Sequence, residues 1–256
     1  FPLRLEDNPS YLSFGGDGKT VDYTEGVYVG YRYYEAKKQP VRWAFGHGLS
    51  YTEFKYDHLT VSSEELNDDN EIIVEVDVIN VGECAGKEVV QLYIADKNGT
   101  VNRPVKELKG FTKLALQPGE TKRAQMKISA RDLSFYSEEI KDWYAPSGTY
   151  ELLVGHASDD IRVSCEIQFT TKKQLPFHVT GATTIGELLA DARTAAAAME
   201  LLAPLQQTGE NGEEISEADQ QMIQAILEGL PLKSLSIAGV SGKMTEEIIH
   251  KLNELC

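Results

Sequence analysis

Apolar and polar side chains alternate along residues 51–170, which is the pattern of half-buried β-strands. Turn-forming sequences separate the alternating segments, among them Gln-Pro-Gly at 117–119 and Pro-Ser-Gly at 146–148. Strands at this regular spacing predict an antiparallel sandwich of two sheets with about seven strands. The apolar positions that carry the prediction are Ile72, Val74, Val76, Val78, Val89, Val90, Leu92, Ile94, Ala124, Met126, Ile128, Tyr150, Leu152, Val154, Ile161, Val163, Cys165, Ile167 and Phe169.

Residues 171–256 change to a helical period after a linker that contains Lys172, Lys173 and Pro176. Thr184 and Glu187 have the spacing of a capping box, which predicts the start of a helix. Acidic residues outnumber basic ones here, which argues against a nucleic-acid-binding helix bundle. Three amphipathic helices are predicted: from Thr184 to Leu202 with Pro204 as its stop, from Ser216 to Gly229 with Met222, Ile223, Ile226 and Leu227 buried, and from Thr245 with Ile248, Ile249, Leu252 and Leu255.

Residues 25–56 are rich in aromatic side chains and lie between an irregular N-terminal part and the predicted sandwich. Residues 1–50 are too few and too irregular to bury a core of their own, so we expect them to pack against a partner domain. Residues 27–33 are compatible with either a short strand or a helical turn. Tyr11, Phe14 and Tyr23 are expected in a core or an interface, and a sugar-stacking role stays open for them.

The composition narrows the classes of function. The formal net charge of -15 and the sequence pI near 4.8 disfavour binding to a phosphate backbone. No apolar run reaches the ~20 residues that span a bilayer. The sequence starts without Met and without a signal peptide, so we expect a piece of a longer, cytoplasmic protein. Cys84, Cys165 and Cys256 are expected to be small buried side chains in a reducing compartment.

Four motifs resemble glycoside hydrolase family 3, the β-glucosidase family. EGVYVGYRYY at 25–34 and FGHGLSYTEFKY at 45–56 resemble the family's junction between an α/β sandwich domain and a fibronectin type III-like domain. VINVGECAGKEVVQLYI at 78–94 and RPVKELKGFTKLALQPGE at 103–120 resemble strands of the latter domain. Asn80 and Gly82 are expected to end one strand and Gly86 to permit the turn into the next, with Leu108, Phe111 and Leu114 filling the space between the sheets. The fibronectin type III-like variant also fits because the Cys…Trp…Cys spacing of a true immunoglobulin domain is missing.

The resemblance implies a mainly β chain with three parts. Residues 1–50 would be the C-terminal tail of the α/β sandwich domain and the junction. Residues 51–170 would be the fibronectin type III-like, immunoglobulin-like β-sandwich. Residues 171–256 would be a linker and an acidic α-helical C-terminal extension, similar to one on some bacterial family members.

The same resemblance implies that the parent polypeptide is a retaining β-glycosidase that hydrolyses terminal β-linked sugars. The family's nucleophilic aspartate lies in a barrel domain and its acid/base glutamate in the α/β sandwich domain, and neither position is present here. We therefore expect no catalytic residue, no cofactor, no metal and no activity from this chain alone. Its roles would be scaffolding, packing against the barrel and α/β domains, and a part in the cleft rim or a homodimer contact. The alternative is a free-standing β-sandwich module that binds carbohydrate or protein, which a ridge of exposed aromatic residues would favour.

Several residues imitate catalytic sites. Asp142-Trp143 is similar to the family's nucleophile motif, but Lys141 replaces the expected serine, and we expect a turn carboxylate beside an edge or core aromatic. The carboxylate pairs at 68–69, 138–139 and 159–160 are adjacent in turns, whereas a retaining glycosidase holds two carboxyl groups ~5–5.5 Å apart across the bond. The histidines lack metal-ligand spacing. Only His47, between two glycines, is a candidate to reach a neighbouring cleft, and a packing role is the alternative.

Overall fold

The computed structural model describes residues 1–99, 101–206, 225–238 and 240–256. The chain forms two compact units, Phe1–Gln174 and Leu175–Cys256. The first unit contains the strands and the second contains helices.

The first unit is a β-sandwich, as the alternating pattern predicted. One sheet has the strand order β1-β3-β6, a second has the order β2-β10-β9-β4-β5, and β7 pairs with β8 in a separate ribbon. Neighbouring strands are antiparallel except β2 and β10. The strands are β1 Phe54–Val61, β2 Glu65–Asn67, β3 Glu71–Asn80, β4 Gly86–Asp96, β5 Glu107–Leu116, β6 Thr121–Ser129, β7 Phe135–Ser137, β8 Asp142–Tyr144, β9 Gly148–Ala157 and β10 Asp160–Thr170.

The core lies between the two larger sheets and uses the predicted alternate positions. Val74, Val76, Leu92, Leu152 and Val154 are all fully buried. Because successive strand residues point to opposite faces, each strand contributes every second side chain. Of the two alternatives for residues 27–33, a strand or a helical turn, the structure has a short helix, α1 (Tyr31–Ala36). A second short helix, α2 (Ala130–Leu133), follows β6.

Two expectations about the sandwich core are wrong. Phe111 was expected between the sheets with Leu108 and Leu114, but its side chain is 69% exposed. Leu114 packs against the core, but Phe111 pairs with Gln91 and, across a bulge in β5, Leu108 pairs with Tyr93. Paired strand residues share a face, so Phe111 and Leu108 lie on the outer side of the sheet with Gln91 and Tyr93. Gly86 was expected to permit a turn. Instead, a Cβ there would lie 2.6 Å from Thr52 Cγ2 and 2.9 Å from Phe54 Cζ, so glycine is required by close packing.

Asn80 ties the end of β3 to the neighbouring loops through a fully buried side chain. Its Nδ2 donates to Cys84 O at 2.8 Å and to Leu116 O at 3.2 Å. Its Oδ1 accepts from Thr52 Oγ1 at 2.5 Å and from Gly82 N at 3.1 Å. Each hydrogen-bonding atom of the carboxamide is therefore satisfied where water has no access.

The second unit has its own apolar core, formed by residues such as Val179, Ile185, Leu188, Leu235 and Leu252. Its helices are α3 (Ile185–Ala190), α4 (Ala195–Gln206) and α5 (Gly242–Asn253), with a 3-10 helix at Leu232–Ala238. The predicted capping box is present, since Thr184 Oγ1 accepts from Glu187 N at 3.2 Å and Thr184 N donates to Glu187 Oε2 at 2.7 Å.

The helix boundaries differ from the prediction. The first predicted helix is two helices, because Asp191 takes an extended conformation and accepts from Arg193 N at 2.9 Å in a local turn. The second of these passes Pro204 and ends at Gln206. α5 begins at Gly242 after an N-cap at Ser241, so Thr245 lies inside the helix and is buried.

Part of the second predicted helix lies outside the described residues. Ser216, Met222 and Ile223 fall there. Ile226 is described, and its side chain is exposed rather than buried.

Replacement of Asn80 by alanine is predicted to lower the free energy of unfolding by about 2–4 kcal/mol, because it leaves several buried donors and acceptors unpaired. Asn67→Ala is the matched control: Asn67 is exposed and its side chain accepts one turn hydrogen bond, from Asp69 N. Urea denaturation of both variants measures the difference. Equal losses would contradict the clamp role of Asn80.

Candidate functional site

β4 is buried on both of its faces, which is unusual for a strand of an antiparallel sandwich. Val90, Leu92 and Ile94 face the core between the sheets. Gln91 and Tyr93 face the other way and are also buried. The outer face of β4 must therefore be covered, and residues 28–48 lie over it.

Aromatic stacking forms the centre of this cover, which we call the junction layer (residues 28–48). The Tyr31 and Phe45 rings stack with centroids 4.8 Å apart. Tyr31 also meets Tyr93 of β4 edge to face at 6.0 Å. These ring contacts hold α1 in a defined position on the sheet.

Hydrogen bonds attach the rest of the layer to β4 and β9. Tyr93 Oη donates to Gln91 Oε1 at 2.6 Å, and Gln91 Nε2 donates to His156 O. Ser158 N donates to Phe45 O at 2.8 Å. Gly46 has a φ of +87°, and a Cβ at that position would collide with the Gln91 carboxamide. Glycine is thus required where the layer turns over the sheet.

Ion pairs join α1 to the start of β5. Arg32 Nη2 lies 3.1 Å from Glu107 Oε1, and Lys106 Nζ lies 2.8 Å from Glu35 Oε2. Leu108 N donates to Tyr31 Oη at 2.8 Å. The KELKG motif at 106–110 therefore supplies the contacts that hold α1.

Glu107 is the hub of this ionic seam. Its Oε2 lies 3.2 Å from Arg103 Nη2 and 3.5 Å from Lys109 Nζ. Burial alone would raise the pKa of Glu107, but attraction to Lys109, Arg103 and Arg32 outweighs it and holds the pKa below its usual value. Burial lowers the pKa of the Lys109 ammonium, against the opposing pull of Glu107.

A cavity of about 930 Å³ opens beside the junction layer. Its lining is mostly apolar and includes the rings of Tyr31, Tyr34, Trp43 and Phe45. Glu35 also lines it. Although Glu35 is ion-paired with Lys106, neither of its carboxylate oxygens has a hydrogen-bond partner among the described residues. A volume of this size accommodates several side chains or a small ligand.

Large apolar side chains outside the cavity are also uncovered in this unit. Phe14 is 85% exposed and Tyr51 is 99% exposed. Phe14 and Tyr23, which were expected in a core or an interface, have no place in the sandwich core, and Tyr11 is also exposed. Exposed aromatic side chains of this size make these positions candidates for an interaction surface.

The residues that imitate catalytic sites are engaged in structural contacts or open to solvent. Asp142 lies in β8 rather than in a turn, and its Oδ2 is 2.8 Å from Lys173 Nζ. Asp68 accepts from Thr171 Oγ1 at 3.0 Å and from Lys172 N at 2.8 Å. The remaining carboxylates behave similarly: Asp160 pairs with Arg162, and Glu138, Glu139 and Asp159 are exposed.

The other candidates are distributed rather than clustered. His47 is exposed and lines the cavity. All three cysteines are free thiols, but Cys84 and Cys256 are exposed, contrary to the expectation of burial. Among the described residues, no group of three or more His, Cys, Asp or Glu side chains has the arrangement to hold a metal ion. No described helix is long and apolar enough to cross a membrane.

One buried polar cluster was not predicted from the sequence. Tyr56 Oη donates to Glu88 Oε1 at 2.7 Å, and His156 Nδ1 lies 2.7 Å from the same oxygen. Burial, followed by the Glu88 carboxylate, raises the pKa of Tyr56. Glu88 lies two residues before Val90 in β4, so its side chain points to the same side of the strand as the core residues Val90 and Leu92. This position in the sequence could have predicted that Glu88 is buried.

Comparisons with known proteins agree with these features. A model of the fibronectin type III-like domain matches residues 88–158. Thermostable beta-glucosidase B of Acetivibrio thermocellus is 39% identical over 267 residues, covering 100% of this chain and 34% of that protein. The crystal structure of a GH3 beta-glucosidase from Bifidobacterium adolescentis aligns with a TM-score of 0.67 at 33% identity, covering 79% of this chain and 29% of that one.

A further solved structure supports the first unit. Beta-glucosidase from Kluyveromyces marxianus, in complex with glucose, aligns with a TM-score of 0.60 at 42% identity, covering 66% of this chain and 20% of that one. The fold and the motifs define a fibronectin type III-like module with an attached junction. The chain is homologous to the C-terminal part of the family 3 β-glucosidases, which confirms the resemblance of its motifs. It spans 34% of the Acetivibrio relative.

The ionic seam predicts a pH-dependent contribution to stability. Because the folded-state pKa of Glu107 is lowered, its contribution is present above the unfolded-state pKa, ~4.3, and is lost as the pH falls through the folded-state value. Glu107→Gln is expected to lower the free energy of unfolding by about 2–4 kcal/mol at pH 7, and the gap between wild type and variant should narrow below about pH 4.

The matched control is Glu71→Gln, since the Glu71–Lys127 pair is exposed, with an Oε2–Nζ distance of 3.4 Å. This change is expected to cost less than about 0.5 kcal/mol. Denaturant unfolding at several pH values makes the comparison. A gap between wild type and Glu107→Gln that does not vary with pH would contradict the ionic seam.

Proposed function

We propose that this chain is the non-catalytic C-terminal region of a retaining β-glycosidase that hydrolyses terminal β-linked sugars. Its role is to scaffold the barrel and α/β sandwich domains that carry the chemistry. The supporting observation is the junction layer: exposed aromatic side chains and an apolar cavity sit on a rigid seam of ion pairs. The chain is homologous to the C-terminal part of longer β-glucosidases, so the domains that make up the rest of such an enzyme are the proposed partners of that surface.

The opposite face of the sandwich is covered by charged side chains, which supports the junction layer as the docking side. On the outer face of β3 and β6, Arg123 Nε donates to Asp77 Oδ1 at 2.8 Å and Arg123 Nη1 lies 3.6 Å from Glu75. Lys127 and Glu71 continue the charged ladder. Such a face is well solvated, and covering it with a domain would require stripping water from many charges. The apolar junction layer is the favourable docking side.

In this proposal residues 1–50 are the tail of the α/β domain, residues 51–170 the sandwich, and residues 171–256 the linker and helical extension. We also propose a reducing, cytoplasmic location, in which exposed thiols such as those of Cys84 and Cys256 would persist. His47 is exposed and lines the cavity, and we propose that it reaches the substrate-cleft rim of the partner domains.

The proposal predicts that the 256-residue chain does not hydrolyse a chromogenic aryl β-glucoside above background. The catalytic pair is supplied by the other domains, because a retaining mechanism needs two carboxyl groups ~5–5.5 Å apart. Asp142→Asn is the control and should leave the background rate unchanged. Turnover by the chain that this substitution abolishes would show that Asp142 is a nucleophile and that the proposal is wrong.

The helical unit is proposed to contribute a homodimer contact. Met199 and Met244 are exposed on α4 and α5, beyond what the unit's own core uses. Truncation after Gln174 should convert the dimer to a monomer. The remaining part should stay folded, since Phe1–Gln174 is a compact unit with its own core. Light scattering of both proteins measures the number of chains per particle. An unchanged number would refute the dimer contact without affecting the scaffolding role.

A further inference from the structure

The ribbon of β7 and β8 carries an exposed aromatic pair that the scaffolding role does not use. Tyr136 and Trp143 are direct cross-strand partners, so their side chains share one face of the ribbon. They are 51% and 38% exposed, and their ring centroids are 5.6 Å apart. This pair belongs to the sandwich and not to the junction layer.

The ribbon is anchored from its other face. Phe135 and Tyr144 are the neighbouring cross-strand pair and pack edge to face with centroids 5.8 Å apart. The guanidinium of Arg103 lies 5.8 Å from the Phe135 ring centroid, and Arg103 Nη1 donates to Leu133 O at 2.8 Å. The exposed pair is therefore held on a fixed support, which reduces the entropy lost when a ligand binds.

A polar group lies beside the exposed rings. Arg131 stacks on Trp143, with its guanidinium carbon 3.1 Å from the ring centroid. Asp142, the preceding residue of β8, points to the other face of the ribbon and pairs there with Lys173. The exposed face thus combines two apolar rings with one fixed donor, the Arg131 guanidinium.

We propose that the outer face of this ribbon binds a β-linked gluco-oligosaccharide. A pyranose ring has apolar C–H faces that pack on aromatic rings, and the oxygens of its equatorial hydroxyls can accept hydrogen bonds from the Arg131 guanidinium. The choice of β-linked glucose rests on the proposed function of the parent enzyme. A sugar is neutral, so the chain's net charge of -15 does not oppose its binding.

The size of the ribbon decides between a sugar and a protein partner. Each strand has three residues, which is about 10 Å of length at ~3.3 Å per residue. Two such strands present on the order of 100 Å², whereas a stable protein interface buries ~800 Å² on each partner. One or two sugar rings match the smaller area.

Tryptophan fluorescence tests the proposal on the full 256-residue chain, which has two tryptophans. Trp43→Phe leaves Trp143 as the only reporter. Titration of this variant with cellohexaose should give a saturable change with half-saturation on the order of 1 mM. The same titration with maltohexaose, which has α-linkages, is the matched ligand control and should give a change at least about 3-fold weaker.

Ligand-observed NMR then compares variants at equal cellohexaose concentration. Trp143→Ala and Tyr136→Ala should each weaken binding at least about tenfold. Phe111→Ala, which removes an exposed aromatic residue elsewhere on the sandwich, should bind as the parent does. Circular dichroism and thermal unfolding verify that each variant is folded, and Tyr136→Ser serves as a second variant if Tyr136→Ala is not.

The outcomes are separable from those of the scaffolding proposal. No saturable change up to about 10 mM, or unchanged binding by Trp143→Ala, overturns the sugar site whatever the aryl glucoside assay shows. Equal binding of cellohexaose and maltohexaose supports a sugar site but overturns its β-linked specificity. Preferential binding of cellohexaose that both substitutions remove supports the proposal in full.

Discussion

The burial of β4 on both faces is the constraint on which the first unit depends. The side of β4 that faces the core needs only the opposite sheet, which the sandwich supplies. Its other side carries Gln91 and Tyr93, whose polar atoms require partners once they are out of water. The junction layer supplies those partners and the covering rings, so residues 28–48 are part of the sandwich fold and not a flexible leader. A truncated sandwich starting at β1 would expose this face.

The ionic seam explains how a short helix keeps its place on the sheet. A six-residue helix such as α1 is not stable in isolation. Arg32 and Glu35 each pair with a residue at the start of β5, and Tyr31 accepts a backbone N–H from the same segment. The three contacts come from one face of α1 and fix both its position and its rotation. The exposed aromatic residues next to it are therefore presented in a defined arrangement before any partner domain binds.

Much of the fold was predictable because strand alternation and turn residues are local signals. The sandwich, its core rows and the Thr184 capping box follow from such signals. The errors arose where the decisive interaction is not local. The break at Asp191 depends on a side chain that competes for a backbone N–H, and the exposure of Phe111 follows from strand parity, which the motif spacing concealed. The Glu88 cluster joins three strands, so no single segment predicts it.

The surfaces of the first unit differ in how much free energy they would gain if a partner removed them from water. The charged side chains on β3 and β6 form ion pairs with one another, so covering them with a partner would gain little free energy. The junction layer and its cavity expose apolar rings that gain about 25 cal/mol for each Å² removed from water. The β7–β8 ribbon lies between these extremes, with two exposed rings beside the guanidinium of Arg131. Its limited area cannot hold a domain, but it matches a ligand whose own faces alternate between apolar and polar. The same unit thus separates a proposed docking side, a solvated side and a small amphipathic ribbon face, and the last two follow from the side chains that strand alternation puts there.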